Sequence, residues 1–279
     1  MKKTIKDLLL FGFVAILISS CEKNKQDEAP QLPPYESMAV DFSKFTTTGK
    51  SASGIDEINT TVNYVSSAIT VGYWILVLGL TLAVPVASFY QSFSHSPEYL
   101  GNKTWQWEYD CTGFASTYHS RLLGMIRESD IKWEMYISKD GVGSHDEFLW
   151  FEGTSNLDEM DGQWKLYHSY ADQEGVLQID WSKTGDEIGA VTYTYIHEAD
   201  NADPNQLTVG SYLSYGLTEN ALNAFYTVVY NTRNRTEEDM TVIIEWSSTE
   251  YHGRIKAEHY FQDAVWHCWD SQGNDVVCE

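Results

Sequence analysis

The chain has 279 residues and a formal net charge of −22, from 40 acidic against 18 basic side chains. Surplus negative charge of that size repels nucleic acid and anionic lipid surfaces, which excludes both as partners of the folded part. The length leaves room for one large domain with a substantial core once the N-terminal segments are set aside.

Residues 1–20 read as a secretory signal, with Lys2, Lys3 and Lys6 as the basic end and Leu8 to Ile18 as a short apolar core. They contribute +2 (three Lys against one Asp), so the remainder carries −24. The apolar core closes on Ile18-Ser19-Ser20-Cys21, a pattern that resembles the lipobox of bacterial lipoproteins. That resemblance implies that Cys21 is diacylated, becomes the first mature residue and holds the protein on a membrane. Glu22 stands where inner-membrane lipoproteins usually carry Asp, which implies the outer membrane, at its periplasmic face or at the cell surface. The charged tract from Glu22 to Glu28, with Lys23, Lys25 and Asp27, is similar to the surface-export signal of Bacteroidota lipoproteins; on its residues alone it is a charged tether. Up to Pro34 the chain is polar, with Pro30 and Pro33, and offers nothing to a core. Residues 21–37 are therefore expected to be a disordered tether, and residues 38–279 a single β-rich domain.

Ser53 followed by Asp56 has the form of a capping box, and Ile55, Ile58, Val62, Val65 and Ile69 continue one apolar stripe. The stripe runs into about 22 residues without a charge, Ala68 to Phe89. A helix of that length spans roughly 33 Å, enough to cross a bilayer or a domain core. Lys50 and Lys103 are the nearest basic residues, so neither end carries the cationic flank of a membrane span. Small residues (Ala68, Gly72, Gly79, Ala83, Ala87) recur at four-residue steps, which allows close backbone approach. The spacing predicts a buried core helix over about 55–93, although the β-branched residues would also suit two buried strands.

From Thr104 the period changes to two. Trp105, Trp107 and Tyr109 alternate with polar residues, as do Ile131, Trp133, Met135 and Ile137; Leu177, Ile179 and Trp181; Val242, Ile244 and Trp246; and Ile255, Ala257, His259 and Phe261. Further runs fit near 115–124, 147–152, 163–169, 189–196, 209–216, 222–231 and 264–269, punctuated by turns such as Asp140-Gly141, Asp161-Gly162 and Asp203-Pro204-Asn205. Short, evenly spaced runs without intervening helices imply an antiparallel meander. The fold class expected is mainly β with one long helical segment (α+β): a curled meander or partial barrel of about 10–12 strands wrapped around the apolar helix. The whole chain resembles the broad class of Bacteroidota lipoproteins through its lipobox, charged tether, Trp- and Tyr-rich strands and closing Trp266-His267-Cys268-Trp269-Asp270; that likeness brings no activity with it.

With Cys21 given to lipid, Cys268 and Cys278 are the natural disulfide, closing the last hairpin, and Cys111 is left as a buried thiol. Neither a phosphate loop, a nucleophile elbow nor an HExxH motif occurs, so an enzyme is not expected, nor a cofactor or metal. His145-Asp146-Glu147 reads as a solvated turn, and the acidic loop of His197, Glu198, Asp200, Asp203 and Asn205 as an Asx-rich connection rather than a calcium site. Tyrosines 193, 195, 212, 215, 226 and 230 fall in successive strands, where they would form cross-strand ladders. Exposed instead, Tyr193, Tyr195, Tyr212 and Tyr226 are the candidate ligand-facing rings, for a glycan, an apolar ligand or a protein partner. The function expected is a lipid-anchored, non-catalytic binding or structural module. The alternative is a carrier holding an apolar ligand between sheet and helix, similar to the half-barrel lipoprotein carriers.

Overall fold

The computed structural model describes residues 28–39, 60–113, 115–197, 209–231 and 240–278. The signal, Cys21, the Ser53–Asp56 start and the acidic loop after His197 lie outside them. Among the described residues fourteen strands form one antiparallel meander in strict chain order. The first seven are β1 (Glu98–Gly101), β2 (Thr104–Gly113), β3 (Ser116–Ile126), β4 (Asp130–Gly141), β5 (His145–Asn156), β6 (Asp161–Tyr167) and β7 (Gly175–Thr184). The others are β8 (Glu187–Tyr195), β9 (Tyr212–Leu217), β10 (Ala224–Val229), β11 (Thr241–Trp246), β12 (Gly253–Lys256), β13 (His267–Trp269) and β14 (Asp275–Val276). The sheet curls but stays open, with β1 and β14 as its edges, so the mainly-β architecture with one long helix is as expected. The reading of Ile255 to Phe261 as one strand fails at Ala257. β12 ends at Lys256 and a single helical turn, α2 (Glu258–Phe261), follows, closed by Gln262 at φ 64°. Over so few residues an alternating pattern fits a helical turn equally well.

The concave face is built by a register that sets indole rings over glycines. Trp105, Gly124, Trp133, Gly153 and Trp164 stand in one row across β2 to β6. A Cβ on Gly153 would lie 2.3 Å from the Trp164 ring, and one on Gly124 would lie 2.7 Å from that of Trp133. Trp246, Gly253 and Trp269 repeat the device across β11 to β13. A large ring leaning over a residue without a side chain fills the narrowing space inside a curled sheet at interior density.

The helix α1 (Val62–Ser92) lies along this face, its N-terminal end against β12 to β14 and its C-terminal end against β2 and β3. Val71, Trp74, Leu78, Leu82 and Phe89, at helical spacing, are all at most 3% exposed. Burying five such side chains contributes on the order of 10 kcal/mol, an upper figure because denatured chains are partly compact. The opposite side is open: Ile69 is 67% and Leu76 61% exposed. Gly72 and Gly79 are on that side, and a Cβ there would meet nothing within 4 Å. These two glycines therefore do not receive the expected packing partner among the described residues.

The helix start is held from the far end of the chain. Thr61 makes no side-chain cap. Instead the Asp275 carboxylate accepts the N–H groups of Val62 at 3.1 Å and Asn63 at 2.9 Å, and the Thr60 hydroxyl. The Asn63 amide donates to the Cys268 carbonyl at 2.9 Å.

The tether expected over 21–37 needs correction from Glu28 onward. Residues 28–39 run along the concave face, with a 3-10 turn at Tyr35–Ser37, and Ser37 and Met38 are fully buried. The Trp164 indole N–H donates to Ser37 Oγ at 3.0 Å, the Tyr193 hydroxyl donates to the Met38 carbonyl at 3.3 Å, and Tyr35 packs edge-on to Tyr90. Proline lacks an N–H, so a segment rich in it can be buried with fewer backbone donors to satisfy.

Candidate functional site

The convex face is charged and internally paired. The His119 ring contacts Asp110 at 2.7 Å and Asp140 at 3.0 Å, and the hydrogen bonds to Asp140 and then Asp110 raise its pKa. Arg121 engages Glu147 with two N–H groups and lies 4.5 Å from the Tyr136 ring centre. Lys132 bridges Glu134 and Glu152, and Arg254 pairs with Glu245 beneath Trp266. Such solvent-screened pairs add little stability, and they hold these basic groups against the sheet itself.

On the concave face the alternation of β8 to β11 sets one aromatic row. Tyr193 and Tyr215 stack at 6.3 Å, Tyr215 and Tyr226 lie 5.7 Å apart, and Tyr226 stacks on Trp246 at 5.0 Å with 14° between planes. Over the Tyr215–Trp246 end of the row sits a cavity of about 290 Å³, lined also by Ile188, Leu217 and Pro34. Glu36, Asp186 and Glu187 complete its wall, and among the described residues no Lys, Arg or His lines it. The 34–36 segment and the β7–β8 turn thus bring three carboxylates beside an aromatic floor. The interface of α1 with the strands is elsewhere, filled by Trp74, Leu78 and Phe89.

Of the rings picked out from the sequence, Tyr226 is at the cavity. Tyr193 is in the same row and, like Tyr226, almost wholly buried, and burial raises its phenol pKa. Tyr195 is half-buried at the end of β8, edge-on to His197, and does not line the cavity. Tyr212 pairs in register with Thr194 and Val229, which puts it on the opposite face from Tyr226. Tyr215, Trp246 and Glu36 were not singled out as ligand-facing. The parity of β9 measured from the buried Leu213 places Tyr215 inward, whereas nothing local signals that residue 36 folds back over the sheet. Cys268 in β13 and Cys278, two residues past β14, form the expected disulfide, and Cys111 is a half-buried free thiol whose pKa burial pushes up. His145 stacks on Tyr170 at 5.3 Å within a cluster with Phe148 and Trp150. His267 is held by Asp263 at 2.9 Å and stacks on Phe261. Among the described residues no group of three or more His, Cys, Asp or Glu side chains is arranged to hold a metal. No protein-family model, curated protein or solved structure matches the chain.

Proposed function

We propose that the chain is a lipid-anchored, non-catalytic binding module of the outer membrane or cell surface, and that its ligand site is the cavity beneath residues 34–36. The anchor follows from the signal and Cys21. The observation that carries the site is the pairing of an aromatic floor with an acidic wall in one cavity. A volume of about 290 Å³ is at the small end of ligand pockets and suits a small molecule rather than a polymer chain. The aromatic floor of Tyr215, Tyr226 and Trp246 offers ring surface to a cation, and Glu36, Asp186 and Glu187 add Coulombic attraction with no described Lys, Arg or His in the lining to oppose it. The ligand class supported is a small organic cation with an apolar body.

Titrating the purified protein with tetramethylammonium, and separately with uncharged tert-butanol, while following tryptophan fluorescence tests the reading. The expected result is a saturable change with the cation alone, weakened about tenfold or more by Glu187→Gln. Equal responses to both probes would replace the cation by an apolar ligand, and no saturable response to either would remove the site.

A further inference from the structure

We infer that the outward face of α1 is a lipid-contact surface, lying flat on the bilayer to which acylated Cys21 ties the chain. The inference rests on the anchor reading above and is independent of the cavity. In a chain that is 21% charged, residues 58–97 contain no Asp, Glu, Lys or Arg. Within that stretch the face turned away from the sheet presents Val62, Val65, Ile69, Tyr73 and Leu76, each more than two-fifths exposed. Scattered exposed apolar residues are ordinary, but these follow one another at helical spacing along a helix about 46 Å long. Tyr73 adds a ring of the kind that settles at the level of lipid headgroups.

The packing excludes a span. Asn63 is held by Asp275 and Cys268 at one end, and at the other the Tyr109 hydroxyl donates to the Ser88 carbonyl at 2.6 Å while Phe89 packs on Trp164. The helix cannot cross a bilayer without dragging charged strands with it, whereas it can lie on the surface with its free side in lipid. A second copy is the weaker occupant, because two chains of −24 each would have to approach. The same charge selects electrically neutral lipid.

The tether geometry brings this face to a membrane. Six residues lie between Cys21 and Glu28, and the seven steps of chain reach at most about 25 Å. Pro30 lies against β3, 3.1 Å from where a Cβ on Gly124 would stand, and β2 and β3 are the strands that hold the C-terminal end of α1. The acyl chains and the helix face therefore engage one bilayer together, so a face too weak to bind alone acts at high effective concentration.

The test uses the full acylated protein in phosphatidylcholine vesicles containing brominated lipid. A bimane fluorophore is attached at Leu76→Cys in a Cys111→Ser background, with Val142→Cys, 79% exposed in the β4–β5 turn, as the comparison site. Both probe positions are exposed, and circular dichroism checks that the fold is kept. The expected result is flotation with the vesicles, at least twofold quenching at 76 and none at 142. Flotation without quenching at 76 overturns the inference and leaves the anchor standing, as does a disulfide joining two unlabelled Leu76→Cys copies. Failure to float overturns both.

Discussion

Asp275 is the residue through which the end of the chain controls the start of its helix. A helix leaves its first four N–H groups without intrahelical partners. Here two of them, on Val62 and Asn63, are taken by one carboxylate at 3.1 and 2.9 Å. Losing such a cap costs about 1 kcal/mol, and losing a negative charge at the positive end of the helix dipole costs up to about 1 kcal/mol more. Asp275→Ala should therefore destabilise by about 2 kcal/mol, which for a domain of this size lowers the melting temperature by about 4–8 °C. Asp275→Asn, which keeps an acceptor and loses the charge, should fall between. The Cys268–Cys278 bridge closes a separation of 10 residues, worth about 2.5–3 kcal/mol by chain entropy. It also holds the hairpin that presents Asp275. Thermal melts of Asp275→Ala, of Cys268→Ser/Cys278→Ser and of the combined variant give the coupling, and the combined loss should fall short of additivity by about 1 kcal/mol. An Asp275→Ala melt within about 1 °C of the parent, or strict additivity, would refute this account of how the helix is held.

Two further perturbations separate the faces of the fold. Gly72→Ala, with nothing within 4 Å of the new methyl, should raise stability by up to about 1 kcal/mol, whereas Gly153→Val, aimed into Trp164, should cost more than about 3 kcal/mol or prevent folding; chemical denaturation reads both. Burial raises the pKa of the Tyr109 and Tyr193 phenols above their unfolded value near 10. The stability this reflects is complete below about pH 10 and is lost as pH rises beyond it, because the unfolded chain then gives up protons that the folded chain keeps. Absorbance at 295 nm with far-UV circular dichroism should show these rings ionising only as the sheet unfolds. Full tyrosine ionisation with the spectrum intact would refute it.

What could be read from the sequence was local, and what could not was decided by distant partners. Trp105, Trp107 and Tyr109 announced an inward face because every second residue of a strand shares one, a rule that needs no knowledge of neighbours. The disulfide followed from chemistry and proximity in the chain. The apolar run was legible as a helix, but hydropathy measures what a segment would gain from cover and is silent on whether cover exists on both sides. Hence Gly72 and Gly79, which looked like points of close approach, stand on the open face. The cap by Asp275 comes from a residue more than 200 positions away, so no local pattern could announce it. Residues 28–39 misled for a related reason: polarity and proline describe a segment unable to build a core of its own, yet a curled sheet with aromatic donors such as Trp164 and Tyr193 supplies the partners such a segment lacks. That same segment puts Glu36 at the cavity, so the candidate site exists only once the tether has folded back. The proposed ligand site and the proposed membrane attachment would thereby share one stretch of chain, and a cation held between Glu36 and Trp246 would favour the conformation in which residues 34–36 lie over the sheet.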